Sequence, residues 1–307
     1  MKKLNQVDQI LEWKSRRGGH RSLEPYNLLR DLYRVWSDQK EGLVPAADFM
    51  PMRMVTLIEV FMRDAIAEII DFGSPYLERS EPLLKDNKID FIFALNLHGR
   101  KLTIGDFSSH SVSINNVDQI TAVFETLFDN RGFRYDLSQI CDRWAIEIEK
   151  KPAEPIISDV DVLYRALARL FEVRHVLTHE TPKRKAYDIS EIDGWFIYCS
   201  QFMKSIGEYI TRQLRGNVPL TQSDMNQDVG NRLNETMLEL QAVLESVASL
   251  QVVSKNLLVE SQKAWENFAD KEADLHGGED AGGSMYPMVW GAAREHLARQ
   301  RIVELSR

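Results

Sequence analysis

Between Phe171 and Glu180 the sequence reads FEVRHVLTHE, which sets Arg174, His175, His179 and two glutamates into an otherwise apolar helical pattern. Imidazoles exchange protons near neutral pH, and a guanidinium offers a planar fork of donors that fits phosphate oxygens. Together they suit proton transfer beside a developing negative charge, the chemistry that cleaves a phosphodiester without a cofactor. At about 100° per residue, Arg174 falls within ~20° of Leu163, in the middle of its helix's apolar stripe. An unpaired guanidinium buried there is costly, so Arg174 either pairs with a carboxylate from another helix or lines a solvent-filled cleft. Glu59 interrupts the apolar face of an upstream helix in the same way and is the expected partner. His175 and His179, four apart, share one face that lies roughly 100° to 140° around from Arg174. Periodicity alone therefore does not unite arginine and histidine, and a polar helix end with a structurally paired arginine accounts for the same residues.

Other chemistries fit less well. A His-x3-His pair presents two imidazoles on one helical face, but Glu172 and Glu180 stand at no recognised third-ligand spacing, so no metal is expected. Gly18-Gly19 and the GGEDAGG stretch match neither a Walker loop nor a dinucleotide fingerprint, and no cofactor is expected. Cys141 and Cys199 sit alone in segments that read as helical and are expected as buried reduced thiols. The formal net charge is −8, so the overall field gives no help toward nucleic acid, and any such contact must be local. Candidates are Arg16, Arg17 and Arg21, and above all Lys183, Arg184 and Lys185 just beyond the histidines.

The elements that must hold these residues are helices, and the fold class is all-α, because apolar positions recur at three-and-four spacing along most of the chain. One helix follows Pro51 through Val55, Ile58, Met62, Ala65 and Ile69 to a stop at Gly73. The next strong one opens with Ser158 and Asp161 in capping-box form, runs through Leu163, Leu167, Leu170 and Leu177, and ends near His179 ahead of Pro182. A third covers roughly residues 188 to 215. Residues 86 to 116 read either as a helix followed by a loop or as a strand pair turned at His98-Gly99. The RGNVPLTQSD stretch marks a linker, after which Leu233, Met237, Leu240, Leu244 and Val247 open a new helix. Two domains follow, 1–218 and 219–307. The second is the more acidic, with 14 acidic against 8 basic side chains from residue 221 onward. No stretch approaches a membrane span, and the N-terminal lysines are not followed by an apolar signal-peptide core, so a cytoplasmic protein is expected.

The segment from Arg174 to His179 resembles the R-x4-6-H signature of the HEPN superfamily, and the LIEVFMRDAIAEI stretch resembles that family's acidic early helix; together the resemblance spans about residues 50–215. It implies a helical bundle, commonly dimeric, and a metal-independent endoribonuclease of the toxin–antitoxin or phage-defence kind. In that reading Arg174 clamps phosphate, His179 transfers protons, His175 and Glu59 are auxiliary, and Lys183, Arg184 and Lys185 contact RNA. The expected partners are RNA, a second copy of the chain, and an antitoxin or other protein. The alternative is a non-catalytic RNA- or protein-binding regulator on the same scaffold.

The last part of the chain resembles the LprI-type lysozyme-inhibitor domain over about residues 231–307. The matches are Leu233-Asn234, Gln262, Trp265, Phe268, Asp270, Gly282-Gly283-Ser284, Pro287, Leu297, Arg301 and Glu304-Leu305. The family's usual cysteine pair is replaced by alanine at Ala273 and at Ala292 or Ala293, which fits a reducing compartment. This resemblance implies a protein-binding or regulatory module, and the module's acidic charge would compete with RNA for Arg174 and Lys183 to Lys185 if it docked over them.

Overall fold

The computed structural model describes residues 6–16, 23–84, 102–180, 185–250 and 254–306. Among the described residues the regular elements are all helical, and the one extended pairing is an isolated bridge between Cys141 and Pro155. The fold is all-α. The chain divides into two compact units, Met1–Gly216 and Asn217–Arg307.

The first unit is built around one apolar helix. Its described helices are α1 (Gln6–Ser15), α2 (Leu23–Leu43), α3 (Phe49–Asp71), α4 (Tyr76–Arg79), α5 (Ile104–Ser111), α6 (Val117–Phe128), α7 (Phe133–Ser138), α8 (Arg143–Glu147), α9 (Val160–His179) and α10 (Glu191–Arg215). On α3, Met54, Val55, Ile58, Met62, Ile66 and Ile69 are fully buried, each contributing roughly 1.5–3 kcal/mol of apolar transfer. The helix is apolar nearly all round because α2, α5, α9 and α10 all pack against it. It begins at Phe49, before Pro51 rather than after it, since a proline in the first turn removes an N–H that has no helical partner there. It ends at Asp71, and Gly73 just beyond turns the chain away with a φ of 98°, in the left-handed region.

Helix α9 lays Leu163, Leu167 and Leu170 into the core between α3 and α10. Its cap is Asp159 and not Ser158. The Asp159 carboxylate accepts the backbone N–H groups of Asp161 and Val162, both at 2.9 Å, and a negative charge there also favours the helix N-terminus. The helix stops at His179, and Glu180 is extended ahead of Pro182. Helix α10 starts at Glu191, because Asp188 and Ser190 are taken up in a turn in which the Asp188 N–H donates to Glu191 at 2.8 Å. Within the uncertain stretch 86–116, α5 is a helix closed by a Thr103–Asp106 capping box, and the His98-Gly99 turn lies outside the described residues.

Cys199 is fully buried on α10, where burial pushes its thiol far above the ordinary range. Cys141, expected on a helix, is half-buried in the extended bridge with Pro155, where Ile156 N–H donates to the Ile140 carbonyl at 2.8 Å. Both thiols are free.

The second unit consists of three long helices, α11 (Gln222–Ser249), α12 (Lys255–Gly277) and α13 (Tyr286–Leu305). Helices α11 and α12 both pack on α13, which is the central element. Gly291 allows the closest approach, since a Cβ there would come within 2.7 Å of Val229 on α11. Helix α11 starts inside the stretch expected as linker, because the Thr221 hydroxyl caps it by accepting the Asp224 N–H at 3.1 Å. No helix among the described residues is long and apolar enough to cross a membrane.

Candidate functional site

Arg174 leaves the core-facing stripe of α9 and meets Glu59 of α3, with Nη2 at 3.4 Å from Oε1. The two side chains are 29% and 20% exposed, so the pair is neither sealed in the core nor free in solvent. A single long contact uses one of the five donors that a guanidinium carries. Arg63, one turn along α3 from Glu59, also feels its charge. Burial pulls the Arg63 pKa down and Glu59 partly offsets this, while Arg63 Nη1 donates to the Ser109 carbonyl at 2.5 Å. Glu59 thus stands between two arginines, an arrangement that attracts anions only as far as its own charge is displaced or outcompeted.

The histidines form a second pair. His175 and His179 are exposed on the last turns of α9, with ring centroids 4.9 Å apart and the rings tilted by 49°. Thr178 returns its hydroxyl to the Arg174 carbonyl at 2.7 Å, and the Glu180 N–H closes the helix on Val176 at 2.9 Å. The structure therefore brings Arg174 to Glu59 and His175 to His179, on faces that remain about 140° apart between Arg174 and His179.

The neighbouring carboxylate Glu172 is occupied. It takes Arg169 Nη1 at 3.0 Å, and Arg169 also reaches Glu191 at 3.5 Å and the Ala186 carbonyl at 2.5 Å, tying α9 to the start of α10. Among the described residues no three His, Cys, Asp or Glu side chains gather as metal ligands would. Lys185 is exposed, whereas Lys183 and Arg184, like Arg17 and Arg21, lie outside the described residues.

The second unit holds a polar assembly that sequence reading missed. Arg294 of α13 is buried, with its side chain 7% exposed; it donates Nε to Asp270 at 2.7 Å and lies 4.6 Å over the Trp265 ring. Arg301 donates to Ser261 at 2.8 Å and pairs with Glu304 at 3.5 Å. The signal was present, since Trp265 and Asp270 were singled out, but their common partner is Arg294. Phe268 is exposed and does not join the core.

Residues 218–305 match the family model described as Lysozyme inhibitor LprI. No curated protein matches the chain, and no solved structure matches it.

Proposed function

We propose that the first unit is a metal-independent endoribonuclease of HEPN type, acting in the cytoplasm as a toxin or defence effector, and that the second unit is a protein-binding module that regulates it. The observation that carries this reading is the slack in the Glu59–Arg174 pair. A half-buried guanidinium with one contact of 3.4 Å keeps donors in reserve for a phosphate, and two exposed histidines, His175 and His179, follow it on the last turns of the same helix.

In the proposed reaction the ribose 2′-oxygen attacks the adjacent phosphorus and the bond from phosphorus to the 5′-oxygen breaks. His179 takes the proton of the attacking hydroxyl and gives it up to the departing 5′-oxygen, and His175 helps orient the scissile nucleotide. Arg174, released from Glu59 by the incoming phosphate, stabilises the crowded, negatively charged phosphorane. Lys183, Arg184 and Lys185 would hold the flanking backbone, and two copies would pair so that their motifs share one cleft. The acidic balance of the second unit and its match to a protein-inhibitor family support a protein ligand for that part, an antitoxin among them.

The test is incubation of the full chain and its His179→Ala form with labelled total RNA in EDTA. The proposal expects cleavage by the unaltered chain, 2′,3′-cyclic phosphate ends, and no cleavage by the variant. Products carrying only 5′-phosphates and lost in EDTA would refute it. One observation favours a second reading: Glu59 is paired with Arg174, as it would be in a regulator that binds RNA or protein without cutting. RNA binding without any cleavage would select that reading.

A further inference from the structure

Helix α12 packs on α13, yet its fully buried side chains are small, Ala269 and Ala273, and its large apolar ones stay outside. Leu257, Phe268 and Leu275 are between 53% and 72% exposed, and Ala264 is exposed with them. At about 100° per residue these four positions fall within ~40° of one another and form a single stripe about 27 Å long. Scattered exposed leucines are ordinary, but large apolar side chains aligned along the whole length of a helix are not.

The spacing of the stripe selects what covers it. Leu257, Ala264, Phe268 and Leu275 follow one another at intervals of seven, four and seven residues. That series reads the same in both directions, and its centre, residue 266, is also the midpoint of the Lys255–Gly277 helix. An antiparallel copy of α12 therefore sets Leu257 against the partner's Leu275 and Ala264 against the partner's Phe268, with no overhang at either end. Small against large fills the two middle layers. A parallel copy would instead crowd Phe268 against itself and leave a gap between two alanines.

The charges of α12 agree with the antiparallel arrangement. Within about 60° of the stripe stand Glu260, Lys271 and Glu272, whose own contacts are long, 3.8 Å from Lys271 to Asp274 and 3.9 Å from Glu272 to His276. A two-fold axis across the pair brings equal flanks together, so Glu260 comes level with the partner's Lys271, and Glu272 with the partner's Ser261. Ser261 accepts from Arg301 at 2.8 Å and keeps its own hydroxyl proton to donate. Lys255, Lys263, Glu266, Asp270 and Asp274 lie about 100° or more from the stripe, and Asp274 is turned onto Tyr286 and Trp290 at 3.3 and 3.1 Å.

We infer that α12 is a self-association surface, on which a second copy of this chain docks antiparallel through Leu257, Ala264, Phe268 and Leu275. A helix of another protein needs no such symmetric spacing, whereas a contact of one patch with itself demands it. The surface belongs to the second unit and stands whether or not the first unit cuts RNA or pairs on its own.

Cross-linking of the full chain tests the register. Leu257→Cys and Leu275→Cys are made separately in a Cys141→Ser background, Cys199 being fully buried, and one of the two carries an affinity tag. Each alone, and the two mixed, are treated with a short bis-maleimide. The antiparallel pair predicts a cross-link only in the mixture, between one variant and the other. Cross-linking of each variant to itself, or no cross-link in the mixture, would overturn the assignment. Phe268→Asp, at an exposed position, should weaken association about tenfold or more. At a concentration where the unaltered chain is fully paired, it should halve the particle mass by light scattering and leave helicity unchanged by circular dichroism, whatever the first unit does. An undiminished mass in Phe268→Asp would overturn the assignment as well.

Discussion

Two arginines in this molecule break apolar surroundings, and they do so differently. Arg294 in the second unit is 7% exposed, donates Nε to Asp270 at 2.7 Å and lies 4.6 Å over the Trp265 ring, so its guanidinium is held among its neighbours and away from solvent. Arg174 in the first unit is 29% exposed and meets Glu59 through one contact of 3.4 Å. An arginine among apolar side chains is therefore not in itself a sign of a site. Each guanidinium spends one donor on a carboxylate, and Nη1 of Arg294 is buried without a hydrogen-bond partner, so what separates a clamp from a ligand-binding group here is whether solvent reaches the remaining donors. By that measure Arg294 holds α12 to α13, and Arg174 is the arginine that the proposed function requires to exchange partners.

The largest expected effect that sharpens this contrast is on stability. Arg294→Ala removes the link between α12 and α13 and the stacking on Trp265, and should cost about 2 kcal/mol. Hydrogen exchange of the α12 and α13 amides would show it as loss of protection confined to the second unit. A loss within experimental error would remove the distinction drawn between the two arginines.

A smaller effect is expected at Glu59. Glu59→Gln keeps the shape and removes the charge facing Arg63 and Arg174, so a short RNA oligonucleotide should bind severalfold more tightly at low salt. Unchanged affinity, measured by anisotropy, would place Arg174 with the structural arginines.

The smallest effect concerns acid. Burial pushes the Glu295 carboxyl up, but Arg299 and Arg232, at 2.9 and 3.1 Å, outweigh burial and hold it below the usual glutamate range. A carboxyl depressed in the folded state contributes stability above its unfolded value of about 4.3, and that contribution is lost as pH falls through the folded value. Glu295→Gln should therefore flatten the acid side of the second unit's stability profile and leave it unchanged below the folded value. A variant profile as steep as that of the unaltered chain would show that the pair does not drive it.

Much of the first unit was legible in its sequence because its helices have one buried stripe each. Leu163, Leu167 and Leu170 define α9, and the pairing of Glu59 with Arg174 could be read because each breaks such a stripe. Helix starts were less legible. Asp159 rather than Ser158 caps α9, as neighbouring capping residues look alike until the backbone selects one, and α11 begins at Gln222, well before Leu233, because its first turns are polar. Arg294 was invisible for another reason: α13 is packed from two sides, so its apolar residues form no single stripe that a charge could interrupt. That α11 and α12 both pack on α13 is a tertiary outcome that local periodicity does not encode.

The central claim is that Arg174 is held loosely because it serves a ligand, and RNA cleavage by Arg174→Ala tests it most directly. Removing a half-exposed, singly bonded arginine should alter the stability of the first unit by no more than about 1 kcal/mol. The account predicts that the variant keeps the helicity and oligomeric size of the unaltered chain and no longer cleaves labelled RNA in EDTA. Cleavage at the unaltered rate, or unfolding of the variant, would contradict it.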